Sequence, residues 1–128
     1  MAAAGIAVAA VLLWAPSALA STVSGGPIIT AGPGEINDIT VTESGGDFVI
    51  TDTAGVTAQG SCMQDTLNQA TCIGGGVIGT PSLTVDAGDM DDRVTLRIGS
   101  PLGAHGAHVS GGSGNDTIDA SQIGRAHV

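Results

Sequence analysis

The sequence predicts an all-β chain in which short strands and a hairpin lead into the first coils of a parallel β-roll or β-helix, after an apolar N-terminal helix. Three observations predict it: rings are scarce, β-branched runs alternate with turn residues, and a nine-residue spacing recurs late in the chain.

The chain has 128 residues, enough for one domain. Apolar residues make up 42% of it but aromatic residues only 2%. Trp14 falls in the first apolar stretch, so Phe48 is the one ring of the remainder. Rings normally supply much of the buried area of a thick core. Val, Ile and Leu must do that packing here. With 21 glycines, thin stacked β-structure is favoured.

Runs rich in β-branched residues, bounded by Gly, Pro, Asp and Ser, are expected as strands at Pro27–Thr30, Ile36–Glu43, Asp47–Thr53, Ser82–Asp86, Arg93–Ile98 and Thr117–Asp119. In the fifth run Val94, Leu96 and Ile98 alternate with Arg93, Thr95 and Arg97, the period of a half-buried strand. Ser44-Gly45-Gly46 between two runs reads as a hairpin turn. Asp52-Thr53-Ala54-Gly55 reads as a strand-end turn, and Gln59–Thr71, the most polar stretch, as a loop. Val85 and Val94 are nine apart, and so are Val109 and Ile118, which points to a solenoid. The gap between the two pairs holds Gly103-Ala104-His105 and its copy Gly106-Ala107-His108, and reads as an irregular loop. Such a loop fixes no geometry for His105 and His108 as metal ligands.

Met1–Ala20 is an apolar run followed by Pro16 and an A-x-A site at Ala18-Leu19-Ala20. This is the pattern of a signal-peptide helix cut before Ser21. The run is too short to span a bilayer, so no membrane span is expected after cleavage, and the chain is expected to be secreted. In an exported chain, Cys62 and Cys72 are expected to form a disulfide that ties the polar loop. The net charge of −9, with every acidic residue after the leader, argues against a nucleic-acid partner. It favours a cation.

Gly111–Asp119 reads GGSGNDTID and fits G-G-x-G-x-D-x-U-x at every defined position. Glycines suit a tight turn with positive φ, and Asp116 offers the hard oxygen that calcium prefers. The segment resembles the RTX, or hemolysin-type, calcium-binding repeat. The resemblance implies calcium ions held by Asp116 and the carbonyls of Gly112 and Gly114, with each ion shared between stacked turns. Ala87–Thr95, AGDMDDRVT, is a degenerate copy. Gly88, Asp92 and Val94 match it, and Met90 stands where a glycine belongs. Asp92 and Asp89 there, and Asp119 at the end of the full copy, complete the candidate ligand set.

The expected organisation is a signal peptide over 1–20, an N-terminal β region over 21–81 and the start of a calcium-binding repeat region over 82–122. Residues 123–128 form a separate tail. Ile123–Val128, IGRAHV, matches the translation of a common sequencing adapter up to its stop codon. The tail is therefore expected to be non-native, and the natural chain to continue past Gln122. Nothing in the residues present forms a catalytic constellation. The resemblance implies a secreted protein whose repeats fold as they bind calcium. Two other readings stay open: the targeting part of a larger secreted enzyme or toxin, and an ion-independent adhesion or structural module.

Overall fold

The computed structural model describes residues 20–44, 46–73, 83–98 and 107–123, and every regular element among them is a strand. The leader up to residue 19, His105 and residues 124–128 of the tail lie outside the described residues. In chain order the strands are β1 (Ser21–Ser24), β2 (Ile28–Thr30), β3 (Asp38–Ser44), β4 (Asp47–Asp52), β5 (Val56–Ala58), β6 (Cys62–Thr66), β7 (Gln69–Cys72), β8 (Leu83–Asp86), β9 (Arg93–Ile98), β10 (Ala107–Ser110) and β11 (Thr117–Ile123).

These strands form two sheets around one core. The first is ordered β10-β8-β2-β1-β5 and the second β11-β9-β3-β4-β7-β6. Within the first sheet β2, β8 and β10 run parallel, and within the second β3, β9 and β11 do the same. A turn carries the chain from sheet to sheet each time, at 31–37, 87–92 and 111–116. The result is three stacked strand–turn–strand tiers: β2–β3, β8–β9 and β10–β11.

The nine-residue spacing is the step across a tier, since Val85 and Val109 lie in the first sheet and Val94 and Ile118 in the second. The step between the upper two tiers is 24 residues. Between the lower two it is 55, because β4 to β7 are inserted there. Stacking puts like side chains over like. Ile29 lies beside Val85 and Val85 beside Val109, while Ile39, Val94 and Ile118 form the facing row. Strands about 4.8 Å apart bring such side chains into contact without rings. Full burial of each is worth roughly 1.5–3 kcal/mol. Ile39 and Val94 are 0% and 1% exposed, but Ile118, on the outermost strand, is 46% exposed.

Several expectations hold in detail. β9 buries Val94, Leu96 and Ile98 and exposes Arg93 and Arg97. β3 and β4 form the antiparallel hairpin, closed by the pair Ser44 and Asp47. The chain turns after Asp52, where Gly55 N–H donates to Asp52 O.

Others need correction. Gln59–Thr71 is not a loop. It contains β6 and most of β7, an antiparallel pair in which Cys62 and Cys72 stand directly opposite each other and are disulfide-bonded. β6 buries only Cys62, so it carries no alternation to read. His108 is held on β10, exposed, opposite Thr84. β1, β5 and β10 are three further strands that the sequence reading does not mark.

The end of the sheets farthest from β10 and β11 is closed. There β5 and β6 are the edge strands of their sheets. Ala58 N–H donates to Gln64 Oε1, and Gln64 Nε2 donates to Val56 O, both at 2.8 Å. One amide of β6 thus satisfies the open edge of β5, which limits edge-to-edge pairing. Replacing both cysteines by serine is expected to lower stability by about 2–3 kcal/mol, the loop-entropy value for so short a loop. Urea unfolding with and without reductant checks this: the wild type should shift with reductant and the double variant should not.

Candidate functional site

The turn 87–92 lies directly below the turn 111–116. Asp86 pairs with Ser110 before them and Arg93 with Thr117 after them, so their six positions match one to one. Asp89 and Ser113 form a parallel bridge midway. The degenerate copy is therefore the structural partner of the full one.

The glycines of the motif serve this stacking. Gly112 and Gly114 have φ of 83° and 131°. A Cβ on Gly112 would overlap the carbonyl oxygen of Gly88, and a Cβ on Gly114 that of Met90. Their bare Cα atoms face the lower turn at close range, which is why no side chain fits. Met90 holds φ of 78° at the position where Gly114 sits one tier up. An L-residue there costs about 1–2 kcal/mol.

The four aspartates of the upper two turns, Asp89, Asp91, Asp92 and Asp116, each accept a backbone N–H from an adjacent tier. Asn37 N–H donates to Asp92 Oδ1 at 2.8 Å, and Asp92 N–H donates to Asp116 Oδ1 at 3.0 Å. Gly34 N–H donates to Asp89 Oδ1 at 2.6 Å, and Asn115 N–H to Asp91 Oδ1 at 2.8 Å. The lowest turn, 31–37, is thus a third copy that sequence reading missed. Ala31-Gly32 lies below Ala87-Gly88. Asn37 replaces the aspartate and one extra residue breaks the spacing, so no motif match was visible.

Asp92 is 3% exposed, and its Oδ2 is buried with no hydrogen-bond partner. Burial pushes its carboxyl above the ordinary carboxylate value. The Asn37 N–H opposes that shift, while Asp116, Asp52 and Asp89 add to it. Asp119 lies apart, on β11 opposite Thr95. Its Oδ1 accepts from Ser121 N–H at 3.0 Å and Ser121 Oγ at 2.6 Å. Those bonds, then Arg93 and Arg97, hold its carboxyl below the usual range.

The structure thus brings Asp89, Asp92 and Asp116 into one stack with Gly112 and Gly114, and leaves Asp119 outside it. Among the described residues no group of three or more His, Cys, Asp or Glu side chains converges to hold a metal ion. The stack supplies oxygen donors of the kind calcium takes, and the buried Asp92 Oδ2 accepts no hydrogen bond.

Asp52 reads in the sequence only as the start of a D-T-A-G strand-end turn, with no sign of burial. It is 1% exposed and fully hydrogen-bonded. Oδ2 accepts from Ser21 Oγ at 2.5 Å and Asn37 Nδ2 at 2.8 Å, and Oδ1 from Asp38 N–H at 3.2 Å and Ala54 N–H at 3.0 Å. Asn37 joins this network to the turn stack.

Comparison with known proteins finds no family model, curated protein or solved structure that matches this chain.

Two outcomes are expected. Gly112→Ala should release the third tier alone, so amide exchange should lose protection at Thr117–Asp119 and keep it at Ile39–Val41. Met90→Gly should stabilise the chain by about 0.5–1 kcal/mol, the left-handed strain relieved less the added chain entropy. A third concerns pH. The Asp92 carboxyl is raised in the fold, so its contribution is fully present below its unfolded value near 3.8 and is lost as pH rises through the folded value. Without added calcium, the fold should therefore gain stability as pH falls from neutrality toward 4. Asp92→Asn should lack that gain. Asp65 and Asp119 are lowered and act in the opposite sense, but only below about pH 4.

Proposed function

We propose that this chain is the N-terminal part of a secreted calcium-binding repeat protein of the RTX type, whose stacked Gly-Asp turns open a parallel β-roll and couple calcium binding to folding. The observation that carries this reading is the turn stack. The one complete nonapeptide lies in register over a degenerate copy, and the buried carboxylate between tiers, Asp92, has an oxygen with no partner.

The reading works through charge. The charges of Asp116 and Asp89 act on Asp92 within the stack. Without a counter-ion their repulsion opposes tier on tier. A bound calcium ion would supply the missing positive charge. Asp92 Oδ2 and Asp116 are the carboxylate donors we assign, with Asp89 beside them and the carbonyls of Gly112 and Gly114 on the turn above. Calcium takes about six to eight oxygens, so the stack supplies part of a shell and a further turn above Asp116 would complete it. Binding energy would then appear as folding energy.

A second reading, an ion-independent structural module, is favoured by one observation. Asp89, Asp91, Asp92 and Asp116 already spend an oxygen on inter-tier N–H groups.

Calcium titration followed by circular dichroism and thermal unfolding separates the two. With a dissociation constant of about 1 mM, as in extracellular modules, 10 mM calcium should stabilise the fold by about 1.4 kcal/mol. Magnesium should do less, and Asp92→Asn and Asp116→Asn should each reduce the gain. An unchanged β-signal and an unchanged midpoint up to several millimolar calcium would sink the calcium reading and leave the structural one.

A further inference from the structure

Ser21 is the first residue of β1 and is fully buried. Its N–H donates to Gly55 O at 3.0 Å, and its Oγ donates to Asp52 Oδ2 at 2.5 Å. Asp52 itself is 1% exposed, and its four partners, Ser21, Asn37, Asp38 and Ala54, all offer neutral dipoles. A buried carboxylate without a cation is costly even when fully hydrogen-bonded. The sequence places a cleavage site at the bond before Ser21, after Ala18-Leu19-Ala20.

We propose that cutting the Ala20–Ser21 bond creates the missing cation: the new α-ammonium of Ser21 pairs with Asp52 and locks β1 between β2 and β5. The inference rests on the reading of the leader as a signal peptide. A leader peptidase and one water carry out the cut. The C–N bond breaks, the hydroxyl of water goes to the Ala20 carbonyl carbon, and a hydrogen goes to the Ser21 nitrogen. That amine then takes a proton from solvent. The cut precedes folding, because Ser21 is buried once β1 is in place. The ammonium keeps the bond to Gly55 O and gains two donors. Serine N and Oγ are at most about 3.7 Å apart by covalent geometry, so the nitrogen lies within about 6 Å of Asp52 Oδ2. Opposite charges at that range favour the charged form of both groups. The strands flanking β1 carry no titratable side chain, since β2 is Ile-Ile-Thr and β5 is Val-Thr-Ala. The other carboxylates linked to Asp52 are Asp38, through its N–H, and Asp92, which feels its charge.

The test compares the chain beginning at Ser21 with the same chain N-terminally acetylated and with one retaining Ala20, each with Asp52 and with Asp52→Asn. An α-ammonium whose folded pKa is raised stabilises fully below its unfolded value, about 7.7–8.0, and loses that effect as pH rises through the folded value. At pH 6–7 the unfolding constant of the Ser21 chain should be about tenfold smaller than that of the blocked chains. That advantage should fade above pH 8 and vanish with Asp52→Asn. An NMR titration of the α-amine should place its pKa about one unit or more above the ordinary range. Equal stability of free and blocked chains at pH 6–7 would overturn the proposal, and so would an ordinary α-amine pKa. If Asp52→Asn does not fold, the acetylated chain and the α-amine titration decide. An exported protein whose first residue is not Ser21 would overturn the processing step. None of these outcomes moves the calcium response, so failure here is distinct from failure of the calcium reading.

Discussion

One interaction recurs from tier to tier and holds the molecule in register: a backbone N–H at the end of one turn donating to the carboxylate at the same place in the next. Asn37 gives to Asp92, and Asp92 gives to Asp116. Burial of one face already forbids a slip of one residue, which would turn every inward side chain out, but a uniformly aliphatic row opposes a slip of two residues less strongly. A carboxylate in each of the upper two turns opposes that slip, because the shift would cost it the N–H that pairs it. The glycines belong to the same device. Gly112 and Gly114 let the upper turn approach the carbonyls of Gly88 and Met90, and only at that distance do the N–H groups reach the carboxylates.

The device has an electrostatic cost. Each turn that gains a registering carboxylate also gains a negative charge in a low-dielectric stack. Asp92 bears most of it, buried and with one oxygen unpartnered. Asn37 escapes it in the lowest turn by being an amide. It still donates its backbone N–H upward, and it directs its side chain to Asp52 instead. The calcium reading and the structural reading differ only in how this charge is met.

The two ends of the stack are built differently. At one end the disulfide fixes the β6–β7 pair, and Gln64 satisfies the edge of β5. At the other, β10 and β11 present their edges, and Ile118 is half exposed at a position buried in both lower tiers. Thin aliphatic rows need neighbours on both sides to be fully buried, so closing one end leaves the other tier the least protected.

What the sequence by itself determined is the chemistry of the repeat and the class of the chain. The alternation in β9 and the lack of rings pointed to all-β structure, and the two cysteines to their bond. GGSGNDTID marked the turn whose glycines and aspartate carry the stacking. These are local facts, written in residue type and short spacing. Tertiary structure decided the rest. Gln59–Thr71 became a hairpin whose edge strand buries only Cys62, which leaves no alternation to read. The nine-residue spacing proved to be the step across one tier, not the repeat from tier to tier, because a spacing seen in sequence does not say which sheet each strand joins. Turn 31–37 became the lowest copy only through its register beneath Ala87–Asp92. Ser21, Asn37 and Asp52 share one buried network although up to 31 residues separate them. No spacing rule finds such a group, because what unites it is burial, and burial is a property of the assembled tiers.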